Sequence, residues 1–234
     1  MRKFLLTVLF LIVNLGFTQD LFIFRENGLY GYINKEDNII IPAKFAFAKR
    51  FSSDGLAKVI EPNKNVGFID KQGEYVLPPQ YTLASSFHNG KAIVFANNQF
   101  QIINTKGEIL LRVDKAIRNI EFAHYKSEHY IVENDSNKLG LINQYGKTLI
   151  DIAYDYITPI TAHVYISKQY VSRDSINYTV TNLNKLNTTY KLINWQENWS
   201  TSPTIITVLN TSTQKEERFV QENNNQSSQY DPIK

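Results

Sequence analysis

With 234 residues, 43% hydrophobic and 20% charged, the chain has globular composition and enough length for one sizeable core or one repeat array. Its 25 basic residues include Arg2 and Lys3, which lie in a leader expected to be removed; the remaining 23 face 22 acidic ones, and a near-neutral surface gives no electrostatic ground for nucleic acid or an anionic membrane as partner. Cysteine is absent, which excludes a thiol nucleophile, a cysteine-based zinc site and a disulfide framework.

Residues 1–18 have the layout of a secretory signal peptide. Arg2 and Lys3 supply positive charge, Phe4 to Phe17 is apolar apart from Thr7, Asn14 and Gly16, and Gly16 and Thr18 place small residues before a cut at Gln19. The apolar run of 14 residues is shorter than the roughly 20 needed to span a bilayer. The expectation is a secreted or periplasmic protein with no stable membrane span after cleavage. N-terminal sequencing of the native protein should begin at or near Gln19; an intact Met1 on a cytosolic protein would refute export.

The mature chain repeats. Gly31-Tyr32-Ile33-Asn34 recurs as Gly67-Phe68-Ile69-Asp70, Gln101-Ile102-Ile103-Asn104, Gly140-Leu141-Ile142-Asn143 and, more faintly, Thr179-Val180-Thr181-Asn182. The spacings are 36, 34, 39 and 39 residues, the period of a repeat architecture. Gly73, Gly107 and Gly146 follow the Asn or Asp by three residues, with Asn38 one place later in the first unit, so each site reads as a β-hairpin tip.

A strand precedes each motif (Leu21–Phe24, Gly55–Val59, Lys91–Phe95, Tyr130–Val132, Val164–Ile166), and an apolar strand follows it in four units (Ile39–Ile41, Tyr75–Leu77, Ile109–Leu111, Thr148–Ile150). Pro42 and Pro78-Pro79 end two of the latter, where a lost backbone donor is tolerated. Val113 to Glu121 has room for a turn or two of helix. Asn194 to Ser202 reads as loop, and Thr204–Leu209 with Glu217–Val220 as a last hairpin. The pattern predicts a β-repeat domain over 19–220, with units near 21–50, 51–87, 88–125, 126–162 and 163–193 and a terminal hairpin over 204–220. The Asn/Gln/Ser-rich tail, 221–234, has the composition of a disordered segment.

Tyr30-Gly31-Tyr32-Ile33-Asn34, Ile40-Ile41-Pro42-Ala43-Lys44-Phe45, Phe51 and Gly55-Leu56-Ala57-Lys58-Val59 together resemble the bacterial WG-repeat, as do Val66 to Gly73, Val76 to Tyr81, Phe87 and Gly90-Lys91-Ala92. The family's Trp is replaced here by Tyr30, Val66, Phe100 and Leu139, and Gln101 replaces Gly in the third unit. Because only volume and apolarity persist at that position, it reads as core. The resemblance implies an exported scaffold with no catalytic residues of its own.

Asn34, Asp70, Asn104, Asn143 and Asn182 recur at equivalent points; only one is acidic, so turn capping suits them better than a calcium ladder. His88, His124, His129 and His163 lack the spacing of a helical zinc site, and odd spacing puts His124 and His129 on opposite faces of a strand. Asp151, Asp155 and Asp174 could contribute carboxylates to sugar hydrolysis, but nothing in the sequence pairs them. Trp195 and Trp199 are candidates to stack on a sugar or anchor a protein, or else to plug the end of the core.

The expectation is an all-β protein of tandem three-stranded repeats, stacked propeller-like or as an open curved hairpin array. It has no catalytic, cofactor or metal site. Its function is interaction with an unidentified protein or glycan at the cell envelope or exterior, the alternatives being an envelope-associated hydrolase and a purely structural envelope protein.

Overall fold

A computed structural model describes residues 20–172, 175–185, 188–196 and 205–221. Among these, the chain forms five antiparallel sheets in chain order. The first holds β1 (Phe22–Glu26), β2 (Leu29–Ile33) and β3 (Ile39–Phe45); the second β4 (Phe47–Ala48), β5 (Ala57–Ile60), β6 (Val66–Ile69) and β7 (Tyr75–Tyr81). The third holds β8 (Leu83–Ala84), β9 (Lys91–Ala96), β10 (Gln99–Asn104) and β11 (Ile109–Arg112). The fourth holds β12 (Ile117–Phe122), β13 (His129–Asn134), β14 (Leu139–Asn143) and β15 (Thr148–Tyr154). The fifth is six-stranded: β16 (Tyr156–Pro159), β17 (Val164–Ser172), β18 (Ser175–Asn182), β19 (Tyr190–Gln196), β20 (Ile205–Asn210) and β21 (Lys215–Val220).

The fold is all-β and built from tandem units. Gly31 pairs with Phe24, Gly67 with Val59, Gln101 with Val94, Gly140 with Val132 and Thr179 with Ser167, so the recurring motif takes one register slot in every sheet. Asn34 Oδ1 accepts the backbone N–H groups of Glu36 and Asn38 at 3.1 and 2.9 Å. Asp70, Asn104 and Asn143 do the same at equivalent places, and Asn182 accepts the N–H of Asn184. The carbonyl or carboxylate oxygen therefore closes the hairpin turn and caps donors that would otherwise lack a partner.

The glycine of the motif has a local cause. Residues 42–44 of β3 lie opposite the single residue Gly31, 78–80 opposite Gly67 and 151–153 opposite Gly140, a bulge of two extra residues. The bulge brings backbone onto the glycine: an added Cβ on Gly31 would lie 2.5 Å from Ile41 O and 2.7 Å from Ala43 N. In the third unit Gln101 pairs directly with Arg112 and Ile102 with Leu111. Without a bulge at that point, a side chain fits, which accounts for Gln101. Pro42 and Pro78 sit within the bulged stretch, where a ladder donor is not required.

Each unit leaves an apolar face that its neighbour covers. Tyr32, Ile41 and Phe45 of the first sheet cluster with Ala57, Val59 and Ile69 of the second. Phe68 and Leu77 cluster with Ala92, Val94 and Ile103, then Ile93, Phe100 and Ile102 with Ile120, Tyr130 and Val132. Ile131, Leu141 and Ile150 cluster with Ile157 and Tyr165. The hairpin tips add a second recurring contact: a Cβ on Gly73 would stand 3.1 Å from Ile41, one on Gly107 2.8 Å from Leu77 and one on Gly146 3.2 Å from Leu111. Each tip thus rests on the last strand of the preceding sheet. Among the described residues, no strand pairing or apolar cluster links the fifth sheet to the first. The last cluster lies within the fifth sheet, where Ile206 and Val208 of β20 pack with Ile166 and Val180.

Four local expectations are corrected. The link between units carries a fourth strand, β4 and β8 being only two residues long, because the link pairs edge-on with the next hairpin. The left-handed residue of the first tip is Asp37, φ 60°, not Asn38, since it stands three residues after Asn34 as the glycines do after their own Asn or Asp. Val113 to Glu121 is not helical; the Asp114 side chain caps a turn there and β12 follows, its Ile120 and Phe122 buried on one face in the core shared with the third sheet. Asn194 to Gln196 belong to β19, held against Thr207 to Ile205 of β20, where the sequence suggests loop.

Candidate binding cleft between the fourth and fifth sheets

A cleft of about 480 Å³ lies where the fourth sheet meets the fifth. β12 and β13 contribute Asn119, Glu121 and Glu133, the tip before β14 contributes Asn137, and β14 begins with Leu139. Asp155, in the link from β15 to β16, stands beside Tyr156 and Tyr170.

The polar groups are held in place. Asp155 Oδ1 accepts a hydrogen bond from Lys138 Nζ at 2.7 Å, and Oδ2 accepts the Tyr170 N–H at 2.8 Å. Those two donors, Lys138 first, hold the Asp155 carboxyl below its ordinary range, so it stays charged near neutrality. Arg118 Nη2 meets Glu133 Oε1 at 2.9 Å. Lys168 Nζ lies 4.5 Å from the Tyr170 ring centroid and 5.4 Å from that of Tyr156, and its pKa is raised, foremost by the Tyr170 hydroxyl. The two tyrosine rings meet at 6.2 Å and 77° yet remain 47% and 55% exposed.

Across β17 and β18, Lys168 pairs with Tyr178, whose ring meets Trp195 edge-on at 5.7 Å. Trp195 itself is half-buried against Ile206 and Val208, and its indole N–H has no hydrogen-bond partner. It closes the end of the fifth-sheet core while its edge reaches the tyrosine row. Trp199 and Asp174 lie outside the described residues, and Asp151 is exposed in the β15 bulge. Of the carboxylates considered from sequence that lie among the described residues, Asp155 alone lines the cleft. Tyr156, Tyr170 and Lys168 escape sequence reasoning because only strand register brings them together; their one signal is tyrosine recurring in the fifth unit.

Of the residues at the position before the motif, Leu139 alone lines the cleft. Val66 and Phe100 are buried, whereas Tyr30 and Leu139 are half-buried at the margins of their clusters. No group of three or more metal-ligating side chains occurs among the described residues, and none of their helices is long and apolar enough to cross a membrane.

A second cavity, also between the fourth and fifth sheets, holds His129, whose ring meets that of His163 at 6.2 Å. His129 Nδ1 lies 3.1 Å from the Tyr165 hydroxyl, which donates to Ala162 O. Burial, with His163 as a lesser cause, depresses the His129 pKa below 6.5. The unfolded chain therefore takes up this proton at higher pH than the folded one, and stability should fall as pH drops below about 6.5. Urea midpoints measured at pH 7 and pH 5 should show the loss, and His129→Gln should shrink it; an unchanged difference would exclude His129 as its source.

Fold and cleft together define a tandem β-meander repeat protein with a polar, aromatic-edged groove between two of its sheets. Residues 30–64 and 67–100 match the family described as WG containing repeat. A search of curated proteins finds no match. Among solved structures, a crystal structure of the eukaryotic initiation factor is similar with a TM-score of 0.53 and 10% identity, over 87% of this chain and 61% of that chain. This chain thus spans less than two thirds of that one, and the likeness concerns the fold alone. BamB from Moraxella catarrhalis (TM-score 0.39, 11% identity, 86% of this chain and 73% of that one) is more distant and adds nothing to the assignment.

Proposed function

We propose that the protein is an exported, non-enzymatic repeat scaffold that binds a protein or glycan at the cell envelope or exterior, through the cleft between its fourth and fifth sheets. The observation that carries this is the pair Tyr156 and Tyr170, held about Lys168 yet half-exposed beside a lining of fixed polar groups. Concave sites that join aromatic surface to a few oriented polar groups are the usual form of ligand sites. Export is supported by residues 1–18, which lie outside the described residues.

Material captured from an envelope extract by immobilised 19–234 should be lost with the Tyr156→Ala/Tyr170→Ala double variant. Identical capture by both proteins would remove the cleft from the proposal.

A hydrolase is the second reading, because Glu121, Glu133 and Asp155 line one cleft. Sugar hydrolysis needs a carboxyl that gives up a proton near working pH, with pKa raised. Asp155, kept charged by Lys138 and the Tyr170 N–H, is poorly suited to be that acid. Release of reducing ends from a glycan substrate would decide for the hydrolase.

A further inference from the structure

We infer that the ligand of this cleft is a neutral glycan chain, an inference that rests on the binding reading above and narrows it to one chemistry.

The first ground is charge. Asp155 is matched by Lys138 at 2.7 Å and Glu133 by Arg118 at 2.9 Å, and the Lys168 ammonium is packed on two rings. An anion would have to face Glu121, Glu133 and Asp155; a cation would have to compete with Lys138 for Asp155 and with Arg118 for Glu133. A neutral polyol meets neither penalty. Carboxylate oxygens accept from its hydroxyl groups, while the amides of Asn119 and Asn137 both donate and accept.

The second ground is surface type. Apart from the tyrosines, the lining has one apolar side chain, Leu139. A peptide ligand would find few apolar pockets for its side chains. The rings of Tyr156 and Tyr170 instead offer flat, half-exposed faces and edges, which suit the C–H faces of pyranose rings.

The third ground is extent. At about 480 Å³ the cleft has the volume of a drug-sized ligand site, more than one sugar ring fills, so a short linear chain fits it better than a monosaccharide.

The test is a nitrogen-15 amide NMR titration of 19–234. The probes are maltohexaose, cellohexaose and chitohexaose as neutral chains, maltose as the short one, and hexagalacturonate as the anion. Expected are saturable shifts at Asn119, Asn137 and Tyr170 with a neutral hexasaccharide, and affinity about tenfold weaker for maltose or the matching disaccharide. Tyr170→Ala should weaken hexasaccharide binding about tenfold or more, whereas Tyr170→Phe, which keeps the ring, and Tyr145→Ala, at an exposed tip outside the cleft, should not. Cleft shifts with hexagalacturonate alone would overturn the inference. So would the lack of any neutral-sugar shift at concentrations on the order of 10 mM. If envelope material were still captured through the two tyrosines in that case, the binding scaffold would stand and only the glycan would fall. Loss of both would remove the cleft as a binding site.

Discussion

Truncating Phe100 to alanine is expected to lower folding stability by about 3–5 kcal/mol, the usual range for a buried phenylalanine. The ring is 5% exposed and meets Phe95 edge-on at 4.9 Å. It belongs to the cluster of Ile93, Ile102, Val113 and Ile120 that joins the third sheet to the fourth. A loss of that size is a large part of the roughly 5–15 kcal/mol that holds a domain together. It should also unfasten two sheets at once, because the core lies between units. Lys71→Ala, at a half-exposed hairpin tip, should stay within about 0.5 kcal/mol. Urea melts of the mature wild type and both variants compare the two; equal, small losses would mean that position 100 does not fill the inter-sheet core.

The second large effect should come from the motif glycines. A Cβ on Gly31 would stand 2.5 Å from Ile41 O, and one on Gly140 2.6 Å from Ile152 Cγ1 and 2.9 Å from Ile150 O. The atoms in the way belong mainly to the bulged strand's backbone, which cannot swing aside as a side-chain tip can. Gly31→Ala and Gly140→Ala should each cost about 3 kcal/mol, the upper part of the overpacking range. Gly67→Ala should cost less, since its nearest atoms lie at 3.0 Å. Gln101→Ala is the contrast: its strand has no bulge there and its Nε2 is buried without a partner, so the loss should stay within about 1 kcal/mol. The order of urea midpoints tests this, and a Gly31 variant as stable as the Gln101 variant would break the link between glycine and bulge.

Much of the architecture was legible because it is written in short range. Asn34, Asp70, Asn104 and Asn143 announce their turns by residue type, since a side-chain oxygen two to four residues from its donors closes the same loop each time. The period near 36 residues announces stacked units, because no unit of that size covers its own apolar face. Strands such as Tyr75 to Leu77 read as apolar runs between turn residues. The two-residue strands β4 and β8 carry too little pattern to be seen, and their pairing depends on where the next hairpin lies. Substitution of Gln101 for glycine looked like decay of the motif; it follows from a missing bulge in the partner strand, which is a matter of register.

By itself the sequence determined the all-β class, the repeat, the turn chemistry and the apolar core positions, for these depend on contacts within a few residues or on one repeating face. Tertiary structure alone decided the cleft. Asn119 and Glu133 on the fourth sheet line one cleft with Tyr156 and Tyr170 on the fifth, and Lys168, on the same strand as Tyr170 and opposite Tyr156, reaches both rings. Asn119 and Tyr156 occupy one repeat slot, opposite Glu133 and Lys168 in another, but the residue type changes from unit to unit, so no recurring pattern marks them. Their meeting depends on how two twisted sheets stack, a geometry set by the whole inter-sheet core of Ile131, Leu141, Ile150, Ile157 and Tyr165 and encoded in no local spacing.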